Sequence, residues 1–247
     1  MKMTMGARAQ MGLEYDWDRA LGAPFALAPA DLVQEGLVDD PSYNEENKKL
    51  GEFCAAVMQE ELAALAASRA PRGKRIGIMG AGLMRDTRFW IPRAVSLGLQ
   101  VKIRDISRVA CKNARQFIAE NNLGKGVTVS RGDVEDWRVW EDVEDARTLA
   151  FYAGQFFQNQ TKNIMWDMMY RVGSQFLKIP HRCVYILHPR GEDNPPEKVR
   201  WRNTVPYTDA ELFDAFGHGF CEGVQVLPLG KHLYFHQTYT LFKVRAA

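Results

Sequence analysis

The sequence predicts a doubly wound α/β fold: a mostly parallel seven-stranded sheet with a terminal antiparallel hairpin, preceded by an N-terminal helical cap. Three observations carry this. Short apolar runs alternate with amphipathic helical runs from about residue 74 onward, the connections between them are short, and the last two apolar runs follow one another without a helix between. Alternation with short connections implies parallel strands covered on both faces, and a closing hairpin adds antiparallel strands at one edge.

Residues 1–43 form a Gly- and Pro-rich lead-in with apolar islands at 15–17 and 25–27. From 44 to 69, Leu50, Phe53, Val57, Glu61 and Leu65 recur at helical spacing, and Ala70-Pro71-Arg72-Gly73 stops the helix. Lys48-Lys49 and Glu60-Glu61 read as its solvated face. Residues 1–70 are thus expected to form a lid and 71–247 the main domain. There a strand at 74–80 precedes a helix at 87–97 closed by Gly98, and a strand at 100–105 precedes a helix at 107–120. Strands follow at 126–130 and 147–153, separated by a stretch (134–143) that is irregular or helical. A long helix from about 158 to 176 leads to a strand at 181–187. After a charged, Pro-rich loop at 189–203, Thr208 caps a helix to 216, with Glu211 at its third position. Strands at 223–229 and 232–244 are expected to meet in a tight turn at Gly230-Lys231.

Composition narrows the function. The chain has 247 residues, 46% hydrophobic and 25% charged, which suits a globular domain and argues against disorder. Thirty-two basic residues stand against 30 acidic ones without a long basic run, so no nucleic-acid partner is expected. No run approaches the roughly 18–20 apolar residues of a membrane span, and residues 1–13 lack a secretory signal's apolar core. A cytoplasmic protein, monomeric or homodimeric, acting on a small molecule is the expectation. Cys54, Cys111, Cys183 and Cys221 are scattered without zinc-site spacing, so free thiols and no metal are expected.

The most informative run is Ile76-Gly77-Ile78-Met79-Gly80-Ala81-Gly82-Leu83-Met84, a buried strand ending in Gly-x-Gly with a helix expected just after. Such glycines let a ligand lie against bare backbone, beside the unpaired N–H groups of a helix start. A nicotinamide dinucleotide would need a third glycine where Arg85 stands, which weakens that reading. Asp105 closes the next strand, where a carboxylate can accept both ribose hydroxyls of an adenosine or else cap the following helix. Asp133 follows the third strand, placed for an exocyclic adenine amine or for helix capping.

GIMGAG (77–82), RDI (104–106) and RGDVED (131–136) together resemble the class I S-adenosylmethionine-dependent methyltransferase fold, over about residues 70–245. The resemblance implies S-adenosylmethionine as cofactor, held by Gly80, Ala81, Gly82, Asp105, Ile106, Asp133, Val134, Gly154 and Gln155. That family often has an acid just before the first glycine, where Met79 stands, and a third small residue near Met84. Arg85, Asp86 and Thr87 are expected to supply polar contacts to the methionyl end instead.

In such a fold the reacting centre lies beyond the fourth strand, here Phe151 to Gln160. Tyr152, Gln155, Phe156 and Asn159, with Tyr170 further on, combine aromatic faces that attract a sulfonium with neutral amides, or else belong to the core. His188, at the tip of the fifth strand, is the best candidate base or a strand-end histidine satisfied by loop backbone. His232 and His236 share an alternating stripe with Tyr234 and Thr238. Tyr15, Trp17 and Tyr43 are candidates to close over the cofactor as a lid. With no obvious base, methyl transfer to an amine or a similar nucleophile, giving S-adenosylhomocysteine, leads. One alternative is cyclisation of the cofactor to azetidine-2-carboxylic acid with release of methylthioadenosine, as in azetidine-2-carboxylate synthases, which resemble methyltransferases. A NAD-binding oxidoreductase and a catalytically idle adenosine-binding scaffold rank lower.

Overall fold

The computed structural model describes residues 41–69, 73–82, 84–132, 145–154, 169–179, 181–194, 207–211, 214, 223–234 and 237–247. Its elements are α1 (Pro41–Ala67), β1 (Arg75–Met79), α2 (Ile91–Ser96), β2 (Gln100–Asp105), α3 (Arg108–Glu120), β3 (Val127–Arg131) and β4 (Thr148–Ala153). A π-helical turn (Val172–Phe176), β5 (Cys183–Pro189), β6 (Val224–Tyr234) and β7 (Gln237–Ala246) complete them.

The seven strands lie in the order β3-β2-β1-β4-β5-β7-β6. β1 pairs parallel with β2 and β4, β4 with β5, and β2 with β3, whereas β7 runs antiparallel to β5 and β6. Every residue of β4 and β5 is buried, as expected of central strands covered on both faces. The strand order reverses between β1 and β4. In open α/β sheets that reversal leaves a crevice beyond the carboxyl ends of the strands, where ligands bind.

Local chemistry explains the boundaries. Ser107 caps α3, its Oγ accepting from the Ala110 N–H at 3.1 Å. Thr208 Oγ1 accepts from Glu211 N–H while the Glu211 carboxylate accepts from Thr208 N–H, the reciprocal capping box read in the sequence. Cys54, Cys111 and Cys183 are free thiols, all buried.

Four expectations need correction. The helix after the glycine turn begins at Ile91, not Thr87, because 85–90 form successive turns and Pro92 sets the first helical turn. The stripe that α1 buries is Leu50, Cys54, Met58, Leu62 and Leu65, while Phe53 and Val57 flank it. Glu61 is no solvated residue: its carboxylate accepts from the Tyr185 hydroxyl and pairs with Lys243, both at 2.5 Å. Finally, β6 runs straight through Gly230-Lys231, and Tyr234 pairs with Gln237 across the actual turn. Gly230 serves close approach instead, since a Cβ there would lie 3.1 Å from both Phe53 and Val57 of α1. A bulge between Pro228 and Gly230 absorbs the irregularity. The shifted turn breaks the supposed histidine stripe: His232 stacks on Phe53 at 5.2 Å, and Thr238 falls on the opposite face from Tyr234.

Candidate active site

The turn after β1 is held by backbone geometry. Gly80 and Gly82 take φ of 65° and 49°, and the Met84 N–H closes a turn on the Ala81 carbonyl at 2.8 Å. The region favours glycine because an L side chain there crowds its own carbonyl. A Cβ on Gly82 would meet nothing within 4 Å. The space beside this bare backbone is open, which suits a ligand laid against it.

Asp105, 6% exposed, ties this turn to the next strand end. Its Oδ2 accepts from the Gly82 N–H at 2.9 Å and its Oδ1 from the Ser107 N–H at 2.8 Å. The cap of α3 is Ser107, so Asp105 is not the capping residue. Gly132 N–H donates to the Asp105 carbonyl at 2.9 Å, drawing the end of β3 to the same edge. Ile106 is half-buried and its carbonyl accepts from Arg131 Nε at 3.0 Å.

A buried carboxylate sits at the crossing of β1, β4 and α1. Asp86 Oδ2 accepts from the Tyr152 hydroxyl at 2.9 Å, and a Cβ on Gly154 would lie 2.3 Å from that same oxygen. Burial raises the Asp86 pKa above the usual carboxylate range; Tyr152, the backbone N–H groups of Asp86 and Thr87, and the Arg85 charge offset part of this. Burial also pushes the Tyr152 hydroxyl and the Cys54 thiol up, and the nearby Asp86 charge adds to both. Trp90 packs on Tyr152 with ring centroids 5.0 Å apart. Thr87 is 2% exposed, and its Oγ1 has no hydrogen-bond partner among the described residues.

A second chain of contacts joins the hairpin to α1 over the same turn. Arg85 donates to the Tyr234 hydroxyl at 3.1 Å, which donates to Asn47 Oδ1 at 2.7 Å. Gly51 of α1 leaves room for the Phe89 ring and the Arg85 carbonyl, both of which a Cβ would strike.

The structure therefore brings Gly80, Ala81, Gly82, Arg85, Thr87, Asp105, Tyr152 and Gly154 to one edge of the sheet. Tyr15, Asp133, Val134, Gln155, Phe156 and Asn159 lie outside the described residues, as do Trp17, His236 and the side chain of Tyr43. Tyr152 is fully buried, its hydroxyl committed to Asp86. Tyr170 is 46% exposed on the helical turn before the π-helical segment.

His188 does not open onto a cleft. It lies inside β5, fully buried, stacked on Tyr207 at 5.1 Å, and its Nε2 accepts from the Tyr207 N–H at 2.8 Å. Desolvation lowers its pKa to about 3. A neutral imidazole with its acceptor nitrogen already engaged cannot serve as general base. Asn47 and Tyr234 were missed as site residues; Asn47 falls one turn before Leu50, in line with the buried stripe of α1, and a polar residue in that stripe is the signal.

Among the described residues no group of three or more His, Cys, Asp or Glu side chains is placed to hold a metal. No described helix is long and apolar enough to cross a membrane.

No protein-family model and no curated protein sequence matches the chain. Solved structures do. The CurJ carbon methyltransferase is similar at a TM-score of 0.58 and 14% identity, over 78% of this chain and 54% of that one. The CcbJ methyltransferase of Streptomyces caelestis is similar at 0.56 and 14% identity, over 80% of this chain and 90% of that one. The N,N-8-amino-8-demethyl-D-riboflavin dimethyltransferase (RosA) of Streptomyces davawensis is similar at 0.53 and 17% identity, over 100% of this chain and 74% of that one. At these identities the likeness is one of fold.

Proposed function

We propose, for a chain with the class I methyltransferase fold, that it binds S-adenosylmethionine and transfers its methyl group to an amine of a small molecule. The observation carrying this reading is the Gly82–Asp105 hydrogen bond, which ties the turn after β1 to the tip of β2 next to the sheet's topological switch point, beside open space at a positive-φ glycine.

The residues present fit the cofactor. The bare backbone of Gly80–Ala81–Gly82 is placed for the adenosine side, with Asp105 as acceptor for ribose hydroxyls. Asp86 takes the role of the acid missing at Met79: a buried carboxylate, fixed by Tyr152 against Gly154, suits an α-ammonium. The unpartnered Thr87 hydroxyl offers a further donor nearby. Gln155, Phe156 and Asn159 follow Gly154 directly in sequence and complete the acceptor side, with Tyr15 contributed by the cap.

When bound, S-adenosylmethionine supplies an electrophilic methyl on a sulfonium. The chain's own part is to orient, to exclude water and to hold charge. A neutral amine attacks without prior deprotonation, consistent with an edge where His188 is buried and neutral.

Calorimetry with S-adenosylhomocysteine and with NADH tests the cofactor; binding of NADH alone overturns the reading. Incubation with S-adenosylmethionine, with and without amine acceptors, tests the reaction. S-adenosylhomocysteine formed only with an acceptor supports it. Methylthioadenosine formed without one replaces methyl transfer by cyclisation.

A further inference from the structure

A second cavity, of about 620 Å³, opens at the opposite edge of the sheet. Its walls include Cys183, the first residue of β5, and Arg245 near the end of β7, which pair with each other in register. The crevice described above lies beyond the other ends of the same strands. Seven residues of β5 separate the two edges, about 20 Å at a strand's rise. This cavity is therefore distinct from the Gly82–Asp105 crevice.

Its lining is cationic. Lys178, Arg182, Lys243 and Arg245 face it, with His181 beside them, against one acidic side chain, Glu61. Glu61 is already engaged by Lys243 and by the Tyr185 hydroxyl. Arg182, 2% exposed, donates to the Asp145 carbonyl at 2.7 Å and lies over the Phe176 ring at 4.6 Å, which fixes its guanidinium plane. Among the described residues Arg245 reaches only the neutral Gln225 amide, at 3.1 Å, and Lys178 meets no carboxylate. Like charges gathered around a concave space repel one another unless an anion enters, and low-dielectric walls strengthen its attraction. The Arg245 guanidinium fork and the Lys178 point charge together match phosphate oxygens. A space of this size holds a small metabolite.

We propose that this cavity is a second binding site, for a small phosphorylated molecule, independent of the crevice at the other edge. Inorganic pyrophosphate is the probe, titrated calorimetrically into the full chain. One site per chain is expected, weakened at least tenfold by the double variant Lys178→Ala/Arg245→Ala, whose exposed positions leave the core untouched. Arg85→Ala, at the crevice turn, and Lys125→Ala, on an exposed turn, should leave pyrophosphate binding within twofold. Absence of binding overturns the proposal, as does an equal loss in Lys125→Ala, which marks diffuse attraction. A tenfold loss in Arg85→Ala, which removes the cation at the crevice turn, moves the anion to the crevice and overturns it too. Citrate binding more tightly than pyrophosphate overturns the assignment to phosphate. None of these outcomes depends on the reaction proposed for the crevice.

Discussion

The Tyr152 hydroxyl, at the end of β4, donates a 2.9 Å hydrogen bond to Asp86 Oδ2, 66 positions earlier in the chain. This contact clamps the turn after β1 onto the tip of β4, with Gly154 as the only residue small enough to lie beneath the carboxylate. A raised carboxylate held this way is costly to the empty protein and useful to a cationic ligand.

Asp86→Asn should therefore stabilise the unliganded chain at neutral pH while weakening S-adenosylhomocysteine. Because the folded pKa of Asp86 is raised, the folded state holds its proton more tightly than the unfolded one. Stability falls as pH rises from the ordinary carboxylate pKa through the raised one. Urea unfolding across that range should show a shallower fall in Asp86→Asn. Equal slopes in the two proteins would remove Asp86 as the cause.

Tyr152→Phe keeps the ring on Trp90 but strips a donor from a buried carboxylate. Loss of a hydrogen bond to a charged group costs about 1.5–3 kcal/mol. Denaturant midpoints at neutral pH measure it, and the same variant carrying Asp86→Asn should recover much of the loss.

Asp105→Ala releases both the Gly82 and the Ser107 N–H groups and removes the proposed ribose acceptor. Binding of S-adenosylhomocysteine should weaken by about 1.5–3 kcal/mol, the loss of charged hydrogen bonds. Calorimetry reads this directly; unchanged affinity would place the ribose elsewhere.

His188 offers a pH test with the opposite sign. Its folded pKa is lowered from 6.5 to about 3, so the unfolded chain takes up the proton first. Stability contributed by the neutral ring is complete above 6.5 and is lost as pH falls towards 3, at up to about 1.4 kcal/mol per pH unit. His188→Gln should flatten that limb in urea unfolding. The turnover profile should carry no inflection traceable to this residue.

Glu61→Ala leaves Lys243 without its carboxylate, both side chains being less than a fifth exposed. Removing one partner of a buried pair costs about 3–5 kcal/mol, whereas replacing both by apolar residues is often neutral. Thermal unfolding of Glu61→Ala beside Glu61→Leu/Lys243→Met should show that contrast.

By itself the sequence determined the class of fold, the first five strands, the capping box at Thr208 and Glu211, and the glycine turn with Asp105 after the next strand. These are local matters: periodicity, capping chemistry and positive-φ glycines act within a few residues, and strand ends follow from where apolar runs stop. Tertiary structure alone decided which polar groups meet. Gly230 looked like a turn residue because its sequence neighbourhood is that of a turn, yet Phe53 and Val57, far away in the chain, require the missing side chain. Glu61 looked solvated until β5 and β7 brought Tyr185 and Lys243 to it. His188 sat one residue inside its strand, and that residue separates a solvated base from a buried neutral ring whose lone pair is spent on Tyr207. Burial and long-range pairing set the charge state of each group, and neither is encoded in spacing along the chain, because both depend on which elements pack across the sheet.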